Sequence, residues 1–339
     1  MSAYALPGRS DPGALAGRGV LAICLCLAVL APFFVSGYTV FQFTRVLCIG
    51  IAVLSINLLL GYSGQVSIGH SAIFGLGAYT TAILIHKASV PYGLAILAGG
   101  ALAFVAGLLL GVPALRIRGL YLGLLTLGVA VLFPTIVSHY RELTGGPFGI
   151  SIRTPPAPWG IDLAPDKWVY FLSLATLLVF VGGFQGIVRG RIGRALGALR
   201  KSEAMAAALG VGLARTKTLI FAISAGMAGI GGGLYQLLIG TATPTTYTLT
   251  LSLAFLVGSV LGGLRSSWGA IAGAAFVVYV PDKTASLGST APQLVYAIAL
   301  AVVIYFLPGG VAAVPARLLG MWRSKRATHT VQLQQRGGE

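Results

Sequence analysis

Long apolar runs, broken by short polar, glycine- or proline-marked stretches, recur from one end of the chain to the other. Runs of roughly 15–20 apolar residues match the thickness of a bilayer's hydrocarbon core when helical. The pattern predicts spans at 20–35, 45–60, 93–112, 119–138, 168–188, 218–239, 249–264, 268–280 and 292–307. A further short span ends near residue 85, after the stretch GYSGQVSIGHSAIFGLGAY at 61–79, where glycine and small polar residues alternate with apolar ones. That texture predicts a broken or re-entrant element, since freed backbone groups inside a membrane need polar partners or a cavity. The fold class is therefore all-α integral membrane protein with about ten transmembrane helices. The first run is kept as a span, because no A-x-A cleavage site follows it.

One stretch, 189–217, interrupts the apolar pattern. It carries Arg189, Arg191, Arg194, Arg200, Lys201, Arg215 and Lys217 against the single acid Glu203. Ile192, Leu196 and Leu199 fall at i, i+4, i+7, the stripe of an amphipathic helix. Ser202 is placed to cap a second short helix, with Glu203 at its positive end and Gly210 to close it. Met205, Ala208 and Leu209 form an apolar knob suited to a cleft in a partner. A plain basic connector that obeys topology rules is the alternative reading.

Composition sharpens this picture. With 56% hydrophobic residues, 9% charged and mean hydropathy +0.90, the chain cannot be an ordinary soluble globule. The net charge of +16 does not point to nucleic acid, because the basic residues lie between apolar runs. They serve topology and contact lipid headgroups. With the N-terminus inside, 17 of the 23 Lys and Arg fall in inside segments: Arg9, Arg18, Arg116, Arg118, the seven above, Arg265 and five in the tail. The other six, Arg45, Lys87, Arg141, Arg153, Lys167 and Lys283, fall outside. That asymmetry predicts an N-in, C-in plan in one membrane domain over 1–339, with a transmembrane core at 19–311, the basic loop at 189–217 and a basic tail at 312–339. Cys24, Cys26 and Cys48 sit in apolar segments and read as small core residues. Pairs spaced by four, Gly107/Gly111, Gly119/Gly123, Gly229/Gly233, Gly258/Gly262 and Gly269/Gly273, predict close helix packing.

The acids Asp11, Glu142, Asp162, Asp166, Glu203, Asp282 and Glu339 all fall in expected loops, ends or tails. An ion- or proton-coupled carrier generally keeps ionisable groups inside the membrane, and no TVGYG-like filter suggests a channel. No G-x-x-x-x-G-K-[ST] loop is present, so a driving ATPase would be a separate docked chain. The polar groups nearest a possible pathway are Asn57, Gln65, Ser67, His70 and Tyr79. His70 either touches substrate or is a hydrogen-bonded structural residue, and Asn57, Gln65 and Ser67 either line a path or satisfy backbone freed by glycine. The turn at 144–147 suits a lid or simply a tight turn. No metal cluster emerges, and no cofactor is expected. The segment LLLGYSGQVSIGHSAIFGLGAY loosely matches SVLGGLRSSWGAIAGAAFVVY, as an internal repeat would.

Four motifs together carry a family resemblance: NLLLGYSGQVSIGHSAIFGLGAY (57–79), LRIRGLYLGLLTLG (115–128), LTGGPFGI (143–150) and GRALGALRKSEAMAAALGV (193–211). In order and spacing they resemble membrane subunits of ABC importers for branched-chain amino acids, of the LivM type. The resemblance implies a permease of the bacterial inner membrane, itself no enzyme, pairing with a second homologous permease, two cytoplasmic ABC ATPases that bind ATP, and an extracytoplasmic solute-binding protein. It implies a pathway around Asn57, Gly64, Gln65, Ser67, Gly69, His70 and Tyr79, and ATPase coupling through Arg194, Arg200, Glu203, Ala204, Ala207 and Gly210. Related permeases carry urea, amides, sugars or nucleosides, and the motifs leave the substrate open. The segment 203–210 departs from the family pattern at Met205 and in a glycine one place late.

Overall fold

The computed structural model describes residues 12–113, 120–157, 163–284, 286, 291–306 and 310–311. The polar arm at 1–11, Asp11, Arg116, Arg118, Gly119, Asp162, Glu339 and the basic tail from 312 lie outside them.

The chain is mostly helical. In order come α1 (Pro12–Phe34), α2 (Gly37–Ile56) with a π-helical turn Asn57–Ser63, α3 (His70–Ala88), α4 (Tyr92–Gly111), α5 (Leu120–His139), α6 (Pro165–Arg189), α7 (Arg191–Lys201), α8 (Glu203–Ala208), α9 (Leu213–Ile239), α10 (Leu249–Gly262), α11 (Ser267–Thr284) and α12 (Ala291–Phe306). A two-residue antiparallel pair, β1 (Ile150–Ser151) and β2 (Thr241–Ala242), joins the α5–α6 connection to the end of α9 with Ile150 opposite Ala242. By length and composition, six helical segments of the described residues can cross a membrane: α2 with its π turn, α4, α5, α6, α9, and α10 with the turn before it. The chain is a multi-pass membrane protein.

The most buried of these are α2 and α9. Around α9 pack α3, α4 and α2, and around α2 pack α11 and α6. Glycine sets the spacing. A Cβ on Gly77 of α3 would stand 2.0 Å from the Gly229 carbonyl oxygen of α9, and one on Gly232 would stand 1.9 Å from that of Phe74. On the other side, Gly262 and Gly273 would each come within 1.9 Å of a carbonyl oxygen, of Gly269 and Gly258 respectively. Without a hydrophobic force between helices in lipid, backbone-to-backbone approach of this kind supplies much of the packing.

Several boundaries differ from the sequence reading. α2 begins at Gly37, so Arg45 lies within it rather than opening it, and its guanidinium reaches Asp282 near the end of α11 at 3.3 Å. Gln42 bonds the same carboxylate and Tyr38, and this local neutralisation lets an arginine sit in an otherwise apolar helix. α9 begins at Leu213, placing Arg215 and Lys217 on its first turns rather than in the loop. Cys48 is buried, but Cys24 and Cys26 face outward. The turn at 144–147 is tightly built: Gly145 and Gly146 hold φ of 75° and 63°, and the Thr144 hydroxyl donates to Val137 O at 2.6 Å.

Candidate functional site

α2 does not end in an ordinary cap. It widens into the π turn, whose last carbonyls are partly closed by the backbone N–H of Gly64, held at φ 71°. Glycine is required there, because other residues rarely adopt this left-handed backbone. Residues 64–69 then run without helix until His70 opens α3. The break is thus much shorter than the 61–79 stretch of mixed texture. Along it Gln65, Ser67 and Gly69 are buried, while Gly64, Val66 and Ile68 are more open. The polar side chains turn into the bundle and the apolar ones turn out, the reverse of a soluble strand.

Each inward polar side chain makes at least one hydrogen bond. The fully buried His70 places Nδ1 2.8 Å from Ser67 Oγ and Nε2 3.0 Å from Ser224 Oγ on α9. Ser224 spends its one proton on Ser55 O of α2, at 2.7 Å. Its oxygen therefore accepts from Nε2–H, leaving Nδ1 of a neutral ring to accept from the Ser67 hydroxyl. Gln65 Nε2 donates to Ser63 Oγ at 3.1 Å and to Lys217 O at 3.4 Å. The N–H of Ile68 donates to Thr126 Oγ1 of α5 at 2.9 Å, and a Cβ on Gly69 would stand 2.4 Å from Thr126 O. Tyr79 lies farther along α3 in a ring cluster with Phe133 and Tyr247, and its hydroxyl donates to Ala242 O at 3.0 Å. Tyr79→Phe should cost about 1 kcal/mol, read as a modest fall in thermal unfolding temperature of the detergent-solubilised protein.

A second break, 263–266 between α10 and α11, touches the π turn that leads into the first. Asn57, fully buried, donates through Nδ2 to Gly263 O at 3.3 Å and Ser266 O at 3.1 Å, and accepts from the Ser259 hydroxyl at 2.5 Å. Tyr62 donates to Arg265 O at 3.0 Å, and a Cβ on Gly61 would meet Leu264 O at 1.9 Å. The helix–break–helix plan shared by the two loosely matching sequence stretches is present in both places.

The basic stretch folds as two short helices parted at Ser202, whose Oγ accepts from the N–H of Met205 at 3.3 Å. On α7, Leu196 and Leu199 are buried, but Ile192 is 36% exposed, so the expected stripe stops short of it. Ala206 is the buried anchor of α8, and Ala204, Met205, Ala207, Ala208 and Leu209 are exposed. Gly210 closes the segment at φ 75°, and Arg194 is exposed on α7. Two contacts lead inward. Lys217 Nζ meets Glu203 Oε1 at 2.6 Å, and the backbone carbonyl of that same lysine receives Gln65. Arg200 donates through Nη1 to Gly61 O, which Arg265 Nε also approaches at 3.4 Å. Lost hydration, and then the nearby Arg265 charge, pull the Arg200 pKa below its ordinary value.

Lys217, Ser224, Ser259, Thr126 and Arg265 were absent from the sequence candidates. For Ser224 and Ser259 the available signal was a hydroxyl standing alone in a long apolar run.

A model of the branched-chain amino acid transport system permease component family matches residues 38–307. The chain is 34% identical over 281 residues to the high-affinity branched-chain amino acid transport system permease protein LivM of Escherichia coli (strain K12), covering 76% of this chain and 66% of that one. It is 32% identical over 277 residues to the LivM protein of Salmonella typhimurium, covering 75% and 65%. The chain thus spans just under two thirds of the length of these relatives. It is also 26% identical over 163 residues to a probable branched-chain amino acid transport permease protein LivH of Methanocaldococcus jannaschii, covering 48% and 49%. No solved structure matches the chain.

Proposed function

The chain belongs to the family of permease components of branched-chain amino acid transport systems, and on that premise we propose that it is the membrane subunit of an ABC importer. It moves leucine, isoleucine and valine inward while separate subunits hydrolyse ATP. Similarity to both LivM and LivH proteins supports pairing with a homologous second permease. Two cytoplasmic ATPases and an extracytoplasmic binding protein complete the assembly. Helices α1, α3, α11 and α12 complete ten crossings, with both termini cytoplasmic at the bacterial inner membrane. A cysteine in place of the exposed Ser151 should accordingly react with a membrane-impermeant thiol reagent from outside, above the background of the parent protein. Reaction only after permeabilisation would reverse the orientation.

The observation that carries the mechanism is the direct connection between the basic stretch and the break. Exposed α8 docks on the ATPase, and a shift of that helix reaches the pathway through Glu203–Lys217–Gln65 and through Arg200–Gly61. The path runs past 64–70. Val66 and Ile68 offer the mild apolar surface a branched side chain needs, and Gln65 Oε1, buried without a partner among the described residues, is an acceptor available to an ammonium group. Asn57, Ser67, Gly69, His70 and Tyr79 hold the shape of that path.

The test is uptake of labelled leucine into proteoliposomes bearing the chain with its partner permease, ATPases and binding protein. Accumulation that requires ATP is expected. Accumulation by this chain alone, without ATP, would replace the reading with a self-sufficient carrier.

A further inference from the structure

Between α7 and the start of α9 lies a cavity of about 300 Å³ lined by Arg191, Ile192, Ala195, Val211, Gly212, Arg215, Thr216 and Leu219. Its lining is mostly apolar and includes two arginines. Among the described residues no carboxylate pairs with either arginine. Arg215 and Leu219 also line a second, almost wholly apolar crevice with Leu108, Ala214 and Thr218, which runs between α4 and α9. Beside it the outer face of α4 exposes Val105 and Leu109. A charged mouth therefore opens directly into an apolar slot on the lipid-facing side.

Depth places this mouth at the membrane surface. α9 has 27 residues, about 40 Å of helix, against a hydrocarbon core of about 30 Å. Its first turns, which carry Arg215 and Thr216, therefore stand at headgroup level. α6 ends at Arg189, two residues before Arg191. A free phosphate would find the two cations but gain nothing from the slot, whereas an acyl chain would find the slot but gain nothing from the cations.

We propose that this paired cavity and crevice form a binding site for one anionic phospholipid, its phosphate between Arg191 and Arg215 and an acyl chain along Leu219 and Leu108. A headgroup there bridges the basic stretch to the long helix α9, so lipid composition would bear on the stability of the coupling segment.

The full-length chain, purified in mild detergent and exposed to mixed vesicles of phosphatidylglycerol and phosphatidylcholine, is examined by native mass spectrometry for retained lipid. One phosphatidylglycerol is expected to be kept in preference to phosphatidylcholine. Arg191→Gln with Arg215→Gln should weaken retention about 25-fold, at about fivefold for each charge near the surface. Gly212→Leu fills the cavity without changing charge, where a new Cβ meets nothing within 4 Å, and should also displace the lipid. Arg194→Gln with Lys201→Gln removes equal charge outside the cavity and should not. Equal loss in that control, equal retention of phosphatidylcholine, or displacement by millimolar inorganic phosphate would each overturn the site. The wild-type lipid preference decides the matter even if the variants fail to fold. Loss of ATPase association in the arginine pair with lipid retention unchanged would assign the surface to the ATPase instead.

Discussion

Gly77→Leu should yield almost no correctly folded protein. The new side chain would begin 2.0 Å from Gly229 O and meet the backbone of α9 rather than the end of a flexible side chain. Gly77 also lies against α4, where its own carbonyl approaches Gly99. Three helices would have to part to admit one residue. Overpacking against side chains typically costs about 1–3 kcal/mol, and separating backbones in the centre of the bundle exceeds that range. The measurement is the monodisperse yield in detergent, compared with Gly128→Leu, where a Cβ meets nothing within 4 Å. Near-normal yield for the control and collapse for Gly77→Leu is the expected contrast, and equal yields would show that α3 and α9 are not held this closely.

Arg200→Ala is expected to separate ATP hydrolysis from transport. Removing the guanidinium deprives Gly61 O of a charged donor, an interaction worth about 1.5–3 kcal/mol, and leaves only the longer approach from Arg265. If the proposed coupling runs through this contact, uptake per ATP hydrolysed should fall about 10–100-fold. The exposed docking surface of α8 is untouched, so ATPase association should persist. Arg200→Lys keeps the charge but not the fork of donors and should recover uptake only in part. Parallel loss of hydrolysis and uptake would instead indicate failed assembly.

Much of this architecture was legible in the chain because lipid imposes a simple rule on composition. The starts and ends of α4, α5, α6 and α12 fell within a few residues of their apolar runs. The cap at Ser202 was legible as well, since capping is local chemistry. What misled was charge. Arg45, Arg215 and Lys217 looked like loop residues because a lone cation is costly in a span, yet Arg45 is neutralised by Asp282 from the far end of the chain and Lys217 by Glu203 across the turn between α8 and α9. Long-range pairing leaves no periodic trace in one sequence. The break was visible as a run of glycine and small polar residues, but its limits were not: 70–79 has the same composition and is helical because Gly75 and Gly77 are needed for close packing, not for bending. The partners of Asn57 and His70, Ser259 and Ser224, could be ranked from sequence only as solitary hydroxyls.

The grip of Asn57 on Gly263 and Ser266 carries a kinematic consequence. One buried amide ties the π turn that leads into the first interruption to both ends of the second, so neither can swing without dragging the other along. If the chain acts as the proposed importer subunit, alternating exposure of its path comes from a hinge outside this clasped pair, and spectroscopic distances between labels flanking residues 64 and 265 should stay constant through the ATP cycle while distances to α5 change.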